Sequence, residues 1–287
     1  MAKVLSTAQR TAVVSALVEG NSVRATARLT GVSKDTVLKL MVELGEACAE
    51  FHDKNVRGLD CQRIQADEAW SFVGAKKYNV KPGKRAEQGD IWTWIALDAD
   101  TKLVVSVVVG PRSPGACHDF VQDLAERVPG RFQLTTDALR LYQPAVEAHL
   151  GARVDYAQVV KVYGKDPEGE RRYSPAQCLS TERIIISGDP DRDHISTSYV
   201  ERQNLTLRMS SRRFTRLTNA FSKKSYNHFC AVALYTVFYN YARIHTTLRI
   251  TPAMAAGLAR APWKIADLVA LLPPVEHKGG RPKKAVA

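Results

Sequence analysis

The chain has 287 residues, 45% of them apolar and 24% charged. These proportions belong to a folded globular protein and exclude wholesale disorder; 17 Gly and 13 Pro likewise exclude collagen-like and low-complexity classes. Forty-one Lys+Arg stand against 29 Asp+Glu, a formal net charge of +12, and the length permits one large core or two unequal ones.

Residues 7–50 read as three helices. The first, 7–19, carries Val13, Val14, Leu17 and Val18 on one stripe and is closed by Gly20-Asn21. Ser22 caps the second, which holds Val23, Ala27 and Leu29, and Gly31-Val32 makes a turn. Ser33 caps the third, with Val37, Leu40, Met41 and Leu44 inward. Helix, Gly turn, helix is the pattern of a helix-turn-helix unit; a plain three-helix bundle has the same periodicity. In the helix-turn-helix reading, Ser33, Lys34, Asp35 and Thr36 face base edges, with Lys39 one turn on, while Arg24 and Arg28 reach phosphates.

From residue 62 the pattern changes to strands: 63–73, 91–97, 103–109, 131–136 and 154–162. Helices are expected at 115–128 and 143–150, and a hairpin turn at 98–102. Residues 164–180 are polar and read as an inserted loop. A basic helix follows at 199–216 and an apolar one at 225–243. Three strands, helix, strand, helix, strand and then helices predict an α/β fold, a mixed five-stranded sheet with helices on its faces.

The charge is unevenly spread. Residues 1–201 have 26 basic and 27 acidic side chains, whereas residues 202–287 have 15 basic and only Asp267 and Glu276 against them. So one-sided a stretch points to a polyanion; the plainer alternative is a solubilising face. The five cysteines lie more than ten residues apart, so no Cys-x-x-Cys zinc pair exists, and reduced thiols are expected. No apolar signal core opens the chain, and apolar runs such as 230–234 are too short for a bilayer. A soluble cytoplasmic protein is the expectation.

Three acids fall at telling places: Asp67 in the first strand, Asp137 directly after the fourth, and Glu201 near the start of the basic helix. Hard divalent cations prefer such oxygen ligands, and paired metals clamp both oxygens of a phosphoryl displacement. Each acid also has a structural reading. Asp67 is followed by Glu68, and alternation alone does not choose between them. Asp137 suits a turn or N-cap, and Glu201 closes Ser198-Tyr-Val-Glu201, a capping box. Asp189-Pro-Asp-Arg-Asp193 fails as a calcium loop, because His194 replaces the required Gly and Val200 the final Glu. Asp98 and Asp100 read as turn residues.

Asp67-Glu-Ala-Trp-Ser-Phe-Val73, Thr136-Asp-Ala-Leu-Arg-Leu-Tyr142 and, most specifically, Glu201-Arg-Gln-Asn-Leu-Thr-Leu-Arg208 resemble transposases of the insertion sequence one family. Arg243-Ile-His-Thr-Thr-Leu-Arg-Ile-Thr-Pro-Ala-Met254 is similar to a C-terminal signature of insertion-sequence transposases. The likeness spans residues 62–258. It implies a ribonuclease H-like catalytic domain and a metal-binding Asp67, Asp137, Glu201 triad holding two Mg²⁺, with Mn²⁺ as a substitute. It further implies double-stranded DNA as substrate, a homo-oligomeric synaptic complex and a prokaryotic, nucleoid-associated setting. Arg202, Asn204 and Arg208 match the Glu201 motif; Asn204 and Arg208 are expected to touch scissile-strand phosphates or to hold Glu201, and Arg202, Arg212 and Arg213 to touch DNA. Relatives often begin with a zinc finger, which is absent from this sequence.

Gly279-Gly-Arg-Pro-Lys-Lys284 resembles an AT-hook core, placing Arg281 in a minor groove; a disordered basic tail reads the same way. The expected organisation is therefore a helix-turn-helix domain over residues 1–56, the ribonuclease H-like domain over 57–258, and a C-terminal helix and basic tail over 259–287. The expected function is a transposase that cuts and joins DNA at element ends. The rivals are a DNA-binding regulator with a decayed catalytic fold and a nuclease without strand transfer.

Overall fold

The computed structural model describes residues 5–84, 88–164, 178–215 and 218–273. Arg281 and most of the expected 164–180 loop lie outside the described residues.

Three helices open the chain: α1 (Thr7–Val18), α2 (Val23–Thr30) and α3 (Lys34–Asn55). Each is started by a serine whose side chain accepts a backbone N–H of the first turn: Ser6 from Gln9, Ser22 from Ala25, Ser33 from Thr36. Such caps each contribute about 1 kcal/mol. Gly31 ends α2 in the left-handed region at φ 69°, a conformation that a Cβ disfavours.

The third helix does not end with the three-helix unit. Its second half buries Leu44, Gly45, Cys48 and His52 against α7 (Ser225–Val237). At that crossing a Cβ on Gly45 would lie 2.4 Å from the Cys230 carbonyl oxygen, so only glycine permits the approach. Beyond it, His52 Nε2 lies 3.2 Å from the Val104 carbonyl. Arg127 donates to the carbonyls of His52 and Val56 at 3.3 and 2.9 Å. Val13, Leu44 and Cys48 consequently share one continuous core with Trp94, Phe120 and Leu134.

The sheet comprises β1 (Arg63–Val73), β2 (Gly89–Asp98), β3 (Val104–Gly110), β4 (Phe132–Asp137), β5 (Val154–Tyr163) and β6 (Cys178–Ser187). Their order is β3-β2-β1-β4-β5-β6. Strand β1 pairs antiparallel with β2 and parallel with β4, and β4 pairs parallel with β5. The β2–β3 and β5–β6 pairs are antiparallel. The five-stranded expectation is thus corrected to six. Strand β6 is almost wholly exposed, with Ile185 packed on Ala157, Val159 and Ile195, so it shows no period-2 signal; backbone pairing with β5 defines it.

Alternation along β1 sorts its side chains onto two faces. Ile64 and Ala66 join the core with α4 (Pro114–Arg127) and α5 (Tyr142–His149). Ala69, with Ile95 and Leu97 of β2, joins a second cluster with Val200 and Leu207 of α6 (Ser198–Ser210) and Val232 and Tyr235 of α7. Helix α6 stops well short of the expected residue 216. The chain turns through Arg212–Phe214 because Phe214 is buried in that second cluster. Helix α7 is likewise shorter than expected and passes into one π turn, Phe238–Ala242. There Asn240 bonds both the N–H and the carbonyl of Val104 at 2.9 Å, securing the end of the edge strand β3. Two short helices, Pro252–Ala255 and Ile265–Val269, complete the described chain. No helix among the described residues is long and apolar enough to cross a membrane.

Candidate active site

The site lies where β1 and β4 run side by side. Asp67 sits in the middle of β1, and Asp137 is the last residue of β4. Glu68, one residue on, projects to the opposite face, toward α4 and α5. Even so, carboxylate oxygens of Asp67, Glu68 and Asp137 all lie within 4.8 Å of one another. Asp67 shares its face with α6, and Asn204 of that helix donates to Asp67 Oδ2 at 2.8 Å.

Glu201 stands in the first turn of α6 and does not close a capping box. The N-cap residue is Thr197, not Ser198, and its hydroxyl donates to Glu201 Oε1 at 2.5 Å. Lys161 of β5 forms an ion pair with the same oxygen. Glu201 is outside the tight three-acid group, yet close enough for its charge to raise the Asp67 pKa. Asp137 is a turn residue as well as a member of the group: its Oδ1 accepts the Leu139 N–H at 3.0 Å. It does not cap α5, whose N-cap position is Leu141.

Like charges held together in a partly dry place resist ionisation. Burial pushes Asp67 up to about 6, and the charges of Asp137 and Glu201 add to the effect. Burial likewise pushes Glu68 up to about 7, reinforced by Asp137 and Asp67. Two groups oppose this for Glu68. Tyr142, buried beside it, acts without meeting hydrogen-bond geometry. Arg112 approaches Glu68 Oε2 at 3.0 Å and Asp137 Oδ2 at 3.8 Å, its guanidinium lying over the Trp92 ring. Glu68 Oε1 remains buried with no hydrogen-bond partner among the described residues. An all-oxygen donor set and carboxyls driven toward protonation together fit a hard divalent cation.

Several supporting residues carried no signal in the sequence. Gln65 lies two residues before Asp67, on the same face. Its Oε1 accepts the N–H groups of Tyr199 and Val200 at 2.8 and 3.1 Å, satisfying donors that a helix start leaves open. Gln65 therefore fixes the turn that carries Glu201. Gln203 ties the same helix to Tyr235 at 3.0 Å.

The residues expected to touch DNA are placed unequally. Arg24, Arg28, Lys34, Lys39, Arg202 and Arg212 are exposed, Lys39 beside Glu43 at 3.6 Å. The Thr36 hydroxyl is 2.8 Å from that of Ser33, at the cap of α3. Arg208 is half-buried. Two placements correct the expectation. Asn204 is buried against Asp67 rather than presented to phosphates. Arg213 turns inward, donating to Ser222 Oγ at 2.9 Å and Met41 Sδ at 3.1 Å, because the chain reverses after α6 instead of continuing as a helix.

No protein-family model matches the chain, and no curated protein does. Among solved structures, it is similar to a piggyBac transposase in a synaptic complex with hairpin DNA, at 10% identity and TM-score 0.40 over 92% of this chain and 69% of that one. It is also similar to the Mos1 transposase in a paired-end complex with the left transposon end, at 14% identity and TM-score 0.20, and in a pre-cleavage transpososome, at 12% and 0.21. Those two alignments span 52% and 54% of this chain and 57% and 60% of the Mos1 chains. Overlaps this loose carry no argument, so the functional reading rests on the site itself.

Proposed function

We propose that the chain is a DNA transposase of the Asp-Asp-Glu type, related to the insertion sequence one family. It would bind element ends through α1–α3 as a helix-turn-helix unit and cut and join DNA on a ribonuclease H-like sheet. One observation carries the reading: Asp67 and Asp137 sit on adjacent parallel strands with α6 bringing Glu201 toward Asp67. In the sheet order β3-β2-β1-β4-β5-β6, the two strands that carry them are the central pair, which supports the reading.

Asp67 and Asp137 would hold Mg²⁺, or Mn²⁺ in its place, with Glu201 completing a second position and Glu68 closing the group from the opposite face. A divalent ion so held lowers the pKa of an attacking water or 3′-hydroxyl and stabilises the charge that develops on the leaving oxygen. The chain's own groups do the rest. Asn204 orients Asp67, Thr197 and Lys161 hold Glu201, and Arg112 balances Glu68 while lying near Asp137. Gln65 keeps the start of α6 in register with β1. The exposed Arg202 follows Glu201 directly, so the phosphodiester would meet positive charge as it meets the acids. Cleavage at an element end and its transfer to target DNA would use the same carboxylates in turn, in an oligomer that synapses two ends.

The test is a strand-transfer assay with Mg²⁺ on labelled DNA carrying the sequences that flank the coding region, comparing wild type with Asp137→Ala and Glu201→Ala. Joined products from wild type alone support the proposal. Equal activity in the variants overturns the triad. Cutting without joining reduces the protein to a nuclease, and metal-independent binding without cutting to a regulator.

A further inference from the structure

A second charged region lies at the C-terminal end of α6, beside Ser210 and Ser211. A cavity of about 750 Å³ separates α1–α3 from the segment that follows α6 and from α7. Arg24, Arg28 and Lys34 line it from one wall, and Arg212, Arg213 and Lys223 from the other. Asp35 is the sole carboxylate among the lining residues, and it is exposed beside Lys34 at 3.6 Å.

These cations are poorly compensated. Arg213 is half-buried, and no carboxylate pairs with it among the described residues; burial pulls its pKa down to about 10. A charge partly withdrawn from water without a counter-ion is costly. Lys223 is lowered by burial and by the charge of Arg24 across the cavity, so the two walls repel. The first turns of α2 and α3 also border the space, adding the positive ends of two helix dipoles. Phe221 lines it too, with the Lys223 ammonium 3.4 Å from the centre of its ring. Cations on two walls with an aromatic ring on one of them make the kind of groove that tracks a single nucleic-acid strand.

The walls are held in place. Gly45 seats α3 on α7, and a Cβ on Gly20 would lie 2.7 Å from the Met209 carbonyl oxygen of α6. The start of α3 thus borders a cleft of about 750 Å³, too small to admit a duplex.

We propose that this cleft is a phosphodiester-binding site for one strand of nucleic acid, in which Arg24 and Lys223 contact phosphates from opposite walls. The inference deepens the transposase reading but does not need it, since strand binding requires neither metal nor cleavage.

The test is fluorescence anisotropy of a labelled oligothymidylate hexamer, in chelator so that cleavage plays no part, with wild type and Arg24→Ala/Lys223→Ala. Both substitutions are at exposed positions, and thermal midpoints check that the variant folds. The expected result is at least a tenfold loss of affinity in the variant. The slope of log affinity against log salt should also fall by about 1.4, two phosphate contacts at about 0.7 each, which a merely structural role would not produce. Equal binding by the variant overturns the proposal, as does binding of a duplex but not of the strand. Inorganic phosphate and pyrophosphate serve as competitors; displacement by either at concentrations equal to the hexamer would make the site one for free phosphate and overturn the strand assignment.

Discussion

Two regions of this molecule break the same electrostatic rule with opposite signs. At the junction of β1 and β4, three carboxylates crowd within 4.8 Å, with Arg112 the cation reaching two of them. In the cleft beneath α2 and α3, six cations face one another with a single exposed acid. Protein surfaces ordinarily mix their charges, and unbalanced ones raise the cost of folding. The acids answer by shifting toward protonation, Asp67 to about 6 and Glu68 to about 7. Arginine has no such escape within the working pH range, so Arg213 stays charged with no carboxylate partner among the described residues. The acids point to a cation and the arginines to a polyanion, and DNA cut with the help of a divalent ion supplies both.

The strongest way to break this comparison is to treat the two faces of β1 separately. Asp67→Asn should lower the rate of DNA cutting by on the order of 10³, the scale of several kcal/mol of lost charge stabilisation. Glu68→Gln should cost only about ten- to a hundredfold, as a group that supports the ligands from the far side. The reverse ranking in single-turnover cleavage would move the centre of the site to the α4–α5 face.

Gln65→Ala tests whether Glu201 is positioned from β1. Loss of the two bonds to Tyr199 and Val200 should slow cleavage about tenfold, with the DNA affinity in chelator unchanged. Cleavage at the wild-type rate would show that α6 is placed without it. Gly45→Ala probes the anchoring of the cleft. Forcing a Cβ against the Cys230 carbonyl should cost about 1–3 kcal/mol and lower the thermal midpoint by several degrees; an unchanged midpoint would mean that α3 shifts freely on α7.

The smallest effect is on pH. Asp67 and Glu68 have native pKa values above the ordinary carboxylate range, so the native state binds more protons than the unfolded chain between about pH 4 and 7. Their contribution to stability therefore falls as pH rises through that window. Mg²⁺, which needs the ionised carboxylates, should raise the thermal midpoint more at pH 7.5 than at pH 5.5. Scanning calorimetry showing an equal rise at both would detach the cation from these acids.

Much of this was legible in the sequence, for reasons that local patterns carry. Alternating apolar residues marked β1 to β5, and Ser22, Gly31 and Ser33 punctuated the first helices. Asp67, Asp137 and Glu201 fell on the elements expected. What was hidden depended on contacts between distant segments. Strand β6 shows no pattern because it is almost wholly exposed. The end of α6 is set by the burial of Phe214, and the charged residues 202–216 read as one helix without that knowledge. Gln65 bonds residues 134 and 135 positions away, and Arg112 meets Glu68 across 44; no local spacing marks either. The choice between Asp67 and Glu68 also required the helices, which show that one faces α6 and the other α4 and α5.

The account stands most directly on whether the acidic group takes up a divalent cation. Titration calorimetry of the full chain with Mg²⁺ at pH 7.5, in the absence of DNA, should give saturable binding for wild type that weakens at pH 5.5 and disappears in Asp67→Asn/Asp137→Ala. Binding of the same strength in that folded double variant would contradict it.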